Sequence, residues 1–171
     1  AVLSTYIGNN LGNDNPKRAK TSYYHAVAFT IFLSIVFGGI AILFREQFNI
    51  LLLGKDVDAE VLKIADLFSL ILVLTQPLVG IIWCDDAYFN GSGNSKYSFL
   101  LGLIRLWVLR LPIIFISVWI WPTLSYHSIW ISMLISNIVI IFIGAILRKK
   151  VKLEKTIETK VFDETEGLAN A

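Results

Sequence analysis

The side chains able to do chemistry in this sequence are few, and they lie inside or at the ends of apolar runs. Asp85 and Asp86 are adjacent carboxylates closing one such run. Paired carboxylates can hold a cation or exchange a proton. Neighbouring helical residues point ~100° apart, however, so the pair suits an ordinary solvated helix end equally well. Arg105 and Arg110 sit within another run. An arginine at membrane depth marks a functional position, unless its long side chain snorkels to the headgroups. Snorkelling serves for Arg105. Arg110 lies deeper, and it either does the same or pairs inside a helix bundle or lines an aqueous cleft, with Pro112 freeing a backbone carbonyl nearby. Thr75-Gln76-Pro77 sets two polar side chains ahead of a helix-kinking proline, which fits either ligand contact at a broken helix or a plain packing kink.

Other constellations lead nowhere. The loop Asn90-Gly91-Ser92-Gly93-Asn94-Ser95-Lys96 has no strand before it and no GK[ST] ending, so it is a tight inter-helix hairpin and not a phosphate cradle. Cys84 is the single cysteine, which excludes an intrachain disulfide, and it reads as a packing residue. His25 and His127 stand apart from any Cys, His or acidic partner at ligand spacing, so no metal site, cofactor or nucleophilic triad is expected. Without a catalytic constellation an enzyme is not expected either.

The elements that position these residues follow from the 37 residues between Arg110 and Arg148, which include no Asp, Glu, Lys or Arg. One helix of that length would reach ~55 Å at ~1.5 Å per residue. A bilayer core of ~30 Å needs only ~20 residues. The run must therefore cross twice, turning at Trp121-Pro122 and the polar residues after it. The composition agrees: 56% hydrophobic, 16% charged, mean hydropathy +0.67. Period-two alternation is absent, so the spans are helices and not barrel strands. The expected layout is the end of a preceding helix with a loop (1–22), then spans at 23–45, 67–88, 98–121 and 129–148. Between them lie an outer segment with an amphipathic helix (46–66), a Gly-rich loop (89–97) and an outer turn (122–128). A polar, partly disordered tail follows (149–171). In the outer segment, Val57, Val61, Ile64, Ala65 and Phe68 recur at helical spacing, with Asp56 or Asp58 near the N-terminus favouring the helix dipole. Residues 1–7 are apolar with no basic flank, as expected of a chain continuing from an earlier membrane helix.

Lys and Arg near the span ends set orientation. Lys17, Arg18, Lys20, Lys96, Arg148, Lys149, Lys150 and Lys152 share one side, against Arg45, Lys55 and Lys63 on the other. This places the Gly91 loop and the C-terminus in the cytoplasm, where the Asn90-Gly91-Ser92 sequon is a chance match. In the last span, Ser128, Ser132, Ser136 and Gly144 form a stripe of small residues for close helix packing, with Asn137 set to hydrogen-bond across the interface.

Three motifs together resemble the multidrug and toxic compound extrusion (MATE) family. Ile7-Gly8-Asn9-Asn10-Leu11-Gly12, with Asn15, Arg18 and Ala19, is similar to its Gly-rich cytoplasmic segment. Gly91-Ser92-Gly93-Asn94-Ser95-Lys96 followed by Arg110-Leu111-Pro112 is similar to its "G-x-G-x-[ST]-K … R-[IL]-P" stretch. Ile129-Trp130 and Ile135-Ser136-Asn137 match its final helix. The resemblance implies an all-α membrane protein of two six-helix lobes around a central cleft. This chain would supply four transmembrane helices plus the end of a fifth, all in the C-terminal lobe. The family's function implies exchange of an organic, cationic substrate for H+ or Na+ by alternating access in the plasma membrane. Its partners would be the bilayer, the N-terminal lobe and a small organic substrate, with no nucleic acid. One sodium-coupled subgroup carries a tyrosine–aspartate pair deep in the helix corresponding to 67–90. The matching depth here, near Thr75 to Val79, has no carboxylate, and Asp85 and Asp86 lie closer to the cytoplasm. No coupling-ion or substrate site therefore carries over onto this chain.

Export of lipid-linked sugars on a related scaffold, or a non-transporting membrane subunit, are the competing readings. Replacing Arg110 by Ala in the full-length protein is expected to weaken efflux in a cell-resistance assay. Unchanged efflux at normal expression would remove Arg110 from the transport machinery.

Overall fold

The computed structural model describes residues 2–54, 58–120 and 125–151. Their regular structure is entirely helical: α1 (Val2–Gly12), α2 (Pro16–Leu43), α3 (Arg45–Leu53), α4 (Ala59–Gly91), α5 (Ser95–Leu103), a π-helical segment (Ile104–Arg110), α6 (Leu111–Ile120) and α7 (Ser125–Lys150). Four stretches are long and apolar enough to cross a membrane: Pro16–Leu43, Ala59–Gly91, Ser95–Ile120 and His127–Lys150. Their outward faces are apolar, with Phe115 71% and Trp119 85% exposed. Water would not tolerate such a surface, whereas hydrocarbon does, and helices satisfy their own backbone there. This is an all-α membrane protein.

Local chemistry explains where the helices begin and end, and it corrects several boundaries. The expected loop at 1–22 shrinks to a turn, because Asn15-Pro16 starts α2 with proline in its first turn. The lysines of that turn then ride on the span itself. Asp14, at φ 53°, makes the reversal between α1 and α2. The segment 46–66 divides in two. α3 stops at Gly54, whose φ of 95° is a conformation that side chains resist. The amphipathic stretch then starts at Ala59, capped by Asp58 accepting from the Glu60 amide at 3.0 Å, and runs without a break into the second span. At 33 residues α4 is ~50 Å long, more than a bilayer core requires. Its first turns stand outside the core, where Asp66 meets Arg45 at 2.7 Å and Ser69 donates to Asn49 at 2.9 Å.

The third span contains a π segment that the sequence reading did not foresee. Pro112 lacks an amide hydrogen, and its ring crowds the carbonyl four residues earlier. A wider turn just before it relieves that clash. The turn at Trp121-Pro122, Asp56 and the tail from residue 152 lie outside the described residues.

α2 and α7 each pack on α4, and the π segment packs on α7. The buried core gathers at the lysine-rich end, around Ile7, Ala19, Tyr23, Tyr88, Phe89 and Leu101. Close approach there depends on glycine. A Cβ at Gly91 would strike the Ser4 carbonyl oxygen, and one at Gly8 would lie 3.3 Å from the Gly91 carbonyl oxygen. α1 and the end of α4 thus cross backbone to backbone. The hairpin after them is a closed turn. Gly93 adopts φ 71°, the Asn94 amide donates to the Phe89 carbonyl at 2.8 Å, and the Ser92 hydroxyl donates to the same carbonyl at 3.1 Å.

Gly91→Ala should destabilise the bundle by about 1–3 kcal/mol through overpacking. Thermal unfolding of purified protein, followed by labelling of Cys84 with a thiol-reactive dye in a background without other cysteines, should show a lower midpoint. Gly12→Ala, where an added Cβ meets nothing within 4 Å, should show no loss.

Candidate functional site

Two carboxylates adjacent in sequence meet different fates. Asp86, half-buried, accepts from the Ser98 hydroxyl at 2.9 Å and ties α4 to α5. Asp85 turns into the bundle and is 2% exposed, the one buried acid among the described residues. The ~100° between neighbouring helical positions makes this division. Asp85 is therefore not part of a solvated helix end.

A charge removed from water is tolerable only when paired and hydrogen-bonded. Asp85 receives both kinds of partner on Oδ1. The Tyr23 hydroxyl of α2 donates to it at 2.6 Å, and the Arg148 guanidinium of α7 donates to it in an ion pair. Arg148 also lies over the Tyr23 ring, 4.8 Å from its centroid, so cation, phenol and carboxylate form one contact triangle. Oδ2 faces α7 at Gly144, where a Cβ would fall on it. Tyr88, one helical turn beyond Asp85, packs edge-on against Tyr23 with centroids 5.3 Å apart. Three helices are joined at one buried atom. Chemically, such a cluster can bind or release a proton or a cation only by disturbing all three.

The remaining residues singled out from sequence are scattered. Thr75 is buried, and its hydroxyl donates back to the Leu72 carbonyl at 2.8 Å, while Gln76 faces outward and Pro77 stays within a continuous α4. They form no ligand pocket with Asp85. Arg105 and Arg110 are half-buried on the π segment, and the Nε of each has no partner among the described residues. No ion pair of Arg110 is found among the described residues. Asn137 is 1% exposed, yet among the described residues neither amide atom finds a partner, so the cross-helix bond expected of it is not formed there. Ser132 and Ser136 are buried and donate to carbonyls of their own helix, at 2.7 Å and 3.1 Å. Trp130 packs against Phe68, with centroids 5.8 Å apart. Gly8 and Gly91 serve the helix crossing. Arg18 and Lys96 are exposed, and Lys96 lies 5.3 Å from the Tyr97 ring centroid.

Sequence reasoning missed Tyr23 and treated Arg148 only as a topological marker. Tyr23 is 62 residues from Asp85 in sequence, and no local pattern joins them. A signal existed in Gly144 and Arg148, four residues apart on one face of a helix, the first leaving room and the second bringing charge.

Asp85→Ala leaves Arg148 unpaired and should cost about 3–5 kcal/mol, as for other broken buried pairs. Tyr23→Phe removes one hydrogen bond to a charged group and should cost about 1.5–3 kcal/mol. Thermal melts followed by helical circular dichroism should rank the variants in that order. A melt of Asp85→Ala matching wild type would show the cluster to be structurally idle.

Comparison with known proteins places this geometry. The MatE family model matches residues 2–116. No curated protein matches. Among solved structures, the eukaryotic MATE transporter AtDTX14 superposes with a TM-score of 0.78 at 20% identity, covering 92% of this chain and 34% of that one. A multidrug resistance MATE family transporter of the MOP superfamily, in an inward-facing conformation, superposes with a TM-score of 0.77 at 20% identity, covering 92% of this chain and 35% of that one. The chain spans about a third of the length of each. The structural likeness is one of fold, and the family match extends over most of the sequence: the chain belongs to the MatE family.

Proposed function

We propose that this chain is the C-terminal-lobe part of a secondary active exporter that exchanges an organic, cationic substrate for H+ or Na+ by alternating access. On this reading the N-terminal lobe of the same polypeptide supplies the facing wall of the cleft. The protein sits in the plasma membrane, with the lysine-rich end and the C-terminus cytoplasmic. Family membership supports transport over catalysis, and the distribution of Lys and Arg supports the orientation.

The observation that carries the reading is Asp85. It is a buried carboxylate inside a membrane-crossing helix, held by side chains of two others. An ionisable group at that depth is a functional position by default. Alternating access needs an element whose stability differs between two states once an ion binds. Neutralising Asp85 removes the attraction that holds Arg148, and with it one link of α7 to α4. The free energy of that link then becomes available to bias the bundle between arrangements. Thr75, Gln76, Pro77 and Arg110 would line or gate the cleft at greater depth, and Asp86 would fix α5 to α4 while α7 moves.

The test is efflux of a fluorescent organic cation from proteoliposomes of the full-length protein, driven by an imposed proton or sodium gradient. Asp85→Asn keeps the shape and removes the charge. It should reduce gradient-driven efflux at least about tenfold, the effect of ~1.4 kcal/mol on a coupled step. Undiminished efflux with normal reconstitution would overturn the role of Asp85.

A further inference from the structure

We propose that the cleft between the start of α2 and the end of α7 is a binding site for the phosphate headgroup of an anionic membrane lipid. The cleft encloses about 790 Å³. Lys17 and Lys20 line it from α2, Arg148 and Lys149 line it from α7, and Tyr24 and Tyr88 add phenolic edges. Four cations thus face one space, and among the described residues no carboxylate lines it. Arg148 has one nitrogen engaged by Asp85 beneath, and the lysines remain to hold an anion. Like charges gathered this closely repel one another until a counter-charge enters.

A second feature points the same way. The cleft reaches Pro16, the first residue of α2, and the Asn15 side chain caps none of the amides there. An uncapped helix start presents free N–H groups and the positive end of the helix dipole, which together favour phosphate.

Position selects a lipid over a soluble anion. The stripe that carries Lys17, Lys20 and Tyr24 continues down α2 through Ala28, Ile31 and Ile35, at helical spacing and apolar throughout. On α7 the face of Lys149 continues one and two turns lower through Ala145 and Phe142, and Phe142 is 66% exposed. Both helices pack on α4, which closes the back of the groove between them. A basic pocket opening onto apolar walls at the end of membrane-crossing helices matches an amphiphile whose charge precedes its acyl chains. The site shares Arg148, Tyr23 and Tyr88 with the Asp85 cluster, but it does not rest on the transport reading and needs only the bundle and its basic end.

The experiment is native mass spectrometry of the full-length protein released from nanodiscs containing phosphatidylcholine and phosphatidylglycerol. Wild-type protein should retain phosphatidylglycerol in preference to phosphatidylcholine. The triple variant K17Q/K20Q/K149Q should retain at least about fivefold less, since each lysine near an anionic surface contributes on that scale. A charge-matched control, K63Q/K96Q/K150Q, should retain wild-type amounts. Added inorganic phosphate should not displace the lipid. Equal retention by the two triple variants would overturn the site, and displacement by inorganic phosphate would show a soluble-anion site instead.

Discussion

A carboxylate inside a membrane-crossing helix has no water to fall back on, and that constraint organises this bundle. Asp85 obtains a hydroxyl from α2 and a guanidinium from α7, both on one oxygen. The desolvation cost of two charges is offset only when geometry is tight and further hydrogen bonds are made. Neighbouring choices follow from that need. Gly144 must be small, because a Cβ there would fall on Asp85 Oδ2. Tyr23 must reach Asp85 with its hydroxyl while Arg148 lies over its ring, and Tyr88 packs edge-on against that ring. The aromatic and aliphatic core at this end packs around Asp85, while Arg148 reaches from it into the cleft above.

Packing away from that cluster rests on a different device. In lipid, apolar side chains gain little by leaving a solvent as apolar as themselves, so helices associate by close fit. α2 and α4 approach through Gly38, where a Cβ would lie 2.9 Å from Val73, and through Gly80 beside Thr30. α1 meets α4 at Gly8 and Gly91. Three of the glycines that marked the family motifs therefore act in two ways. Gly8 and Gly91 let backbones touch, while Gly93 is needed for its positive φ.

The spans were legible because their cause is local. Runs of uncharged residues must cross a membrane, and charge asymmetry orders them. Boundaries were less so, since lysines tolerated in a first turn look like the end of a span, and Gly54 was passed over as a helix stop. The acidic start of α4 was legible, but not which of Asp56 and Asp58 serves it, nor that Asp58 accepts from the Glu60 amide. The Asp85 cluster could not, since its three members lie 62 and 63 residues apart and only the bundle brings them together. Arg110 drew attention by its depth, yet depth says nothing about partners. Asn137 shows the same gap: its type suggested a cross-helix bond, while its amide is buried without one among the described residues.

The π segment has a geometric consequence for the whole third span. An α-helical turn uses ~3.6 residues, and bonds from i to i+5 use more, so each widened turn sets the following residues back in angle. α5 and α6 therefore do not share one angular frame. Lys96 and Ser98 belong to one frame and Pro112 to another, with Arg105 and Arg110 at the seam. The span is two short rods joined at a fixed rotation, and its surface toward lipid and toward α7 is the sum of two different stripes.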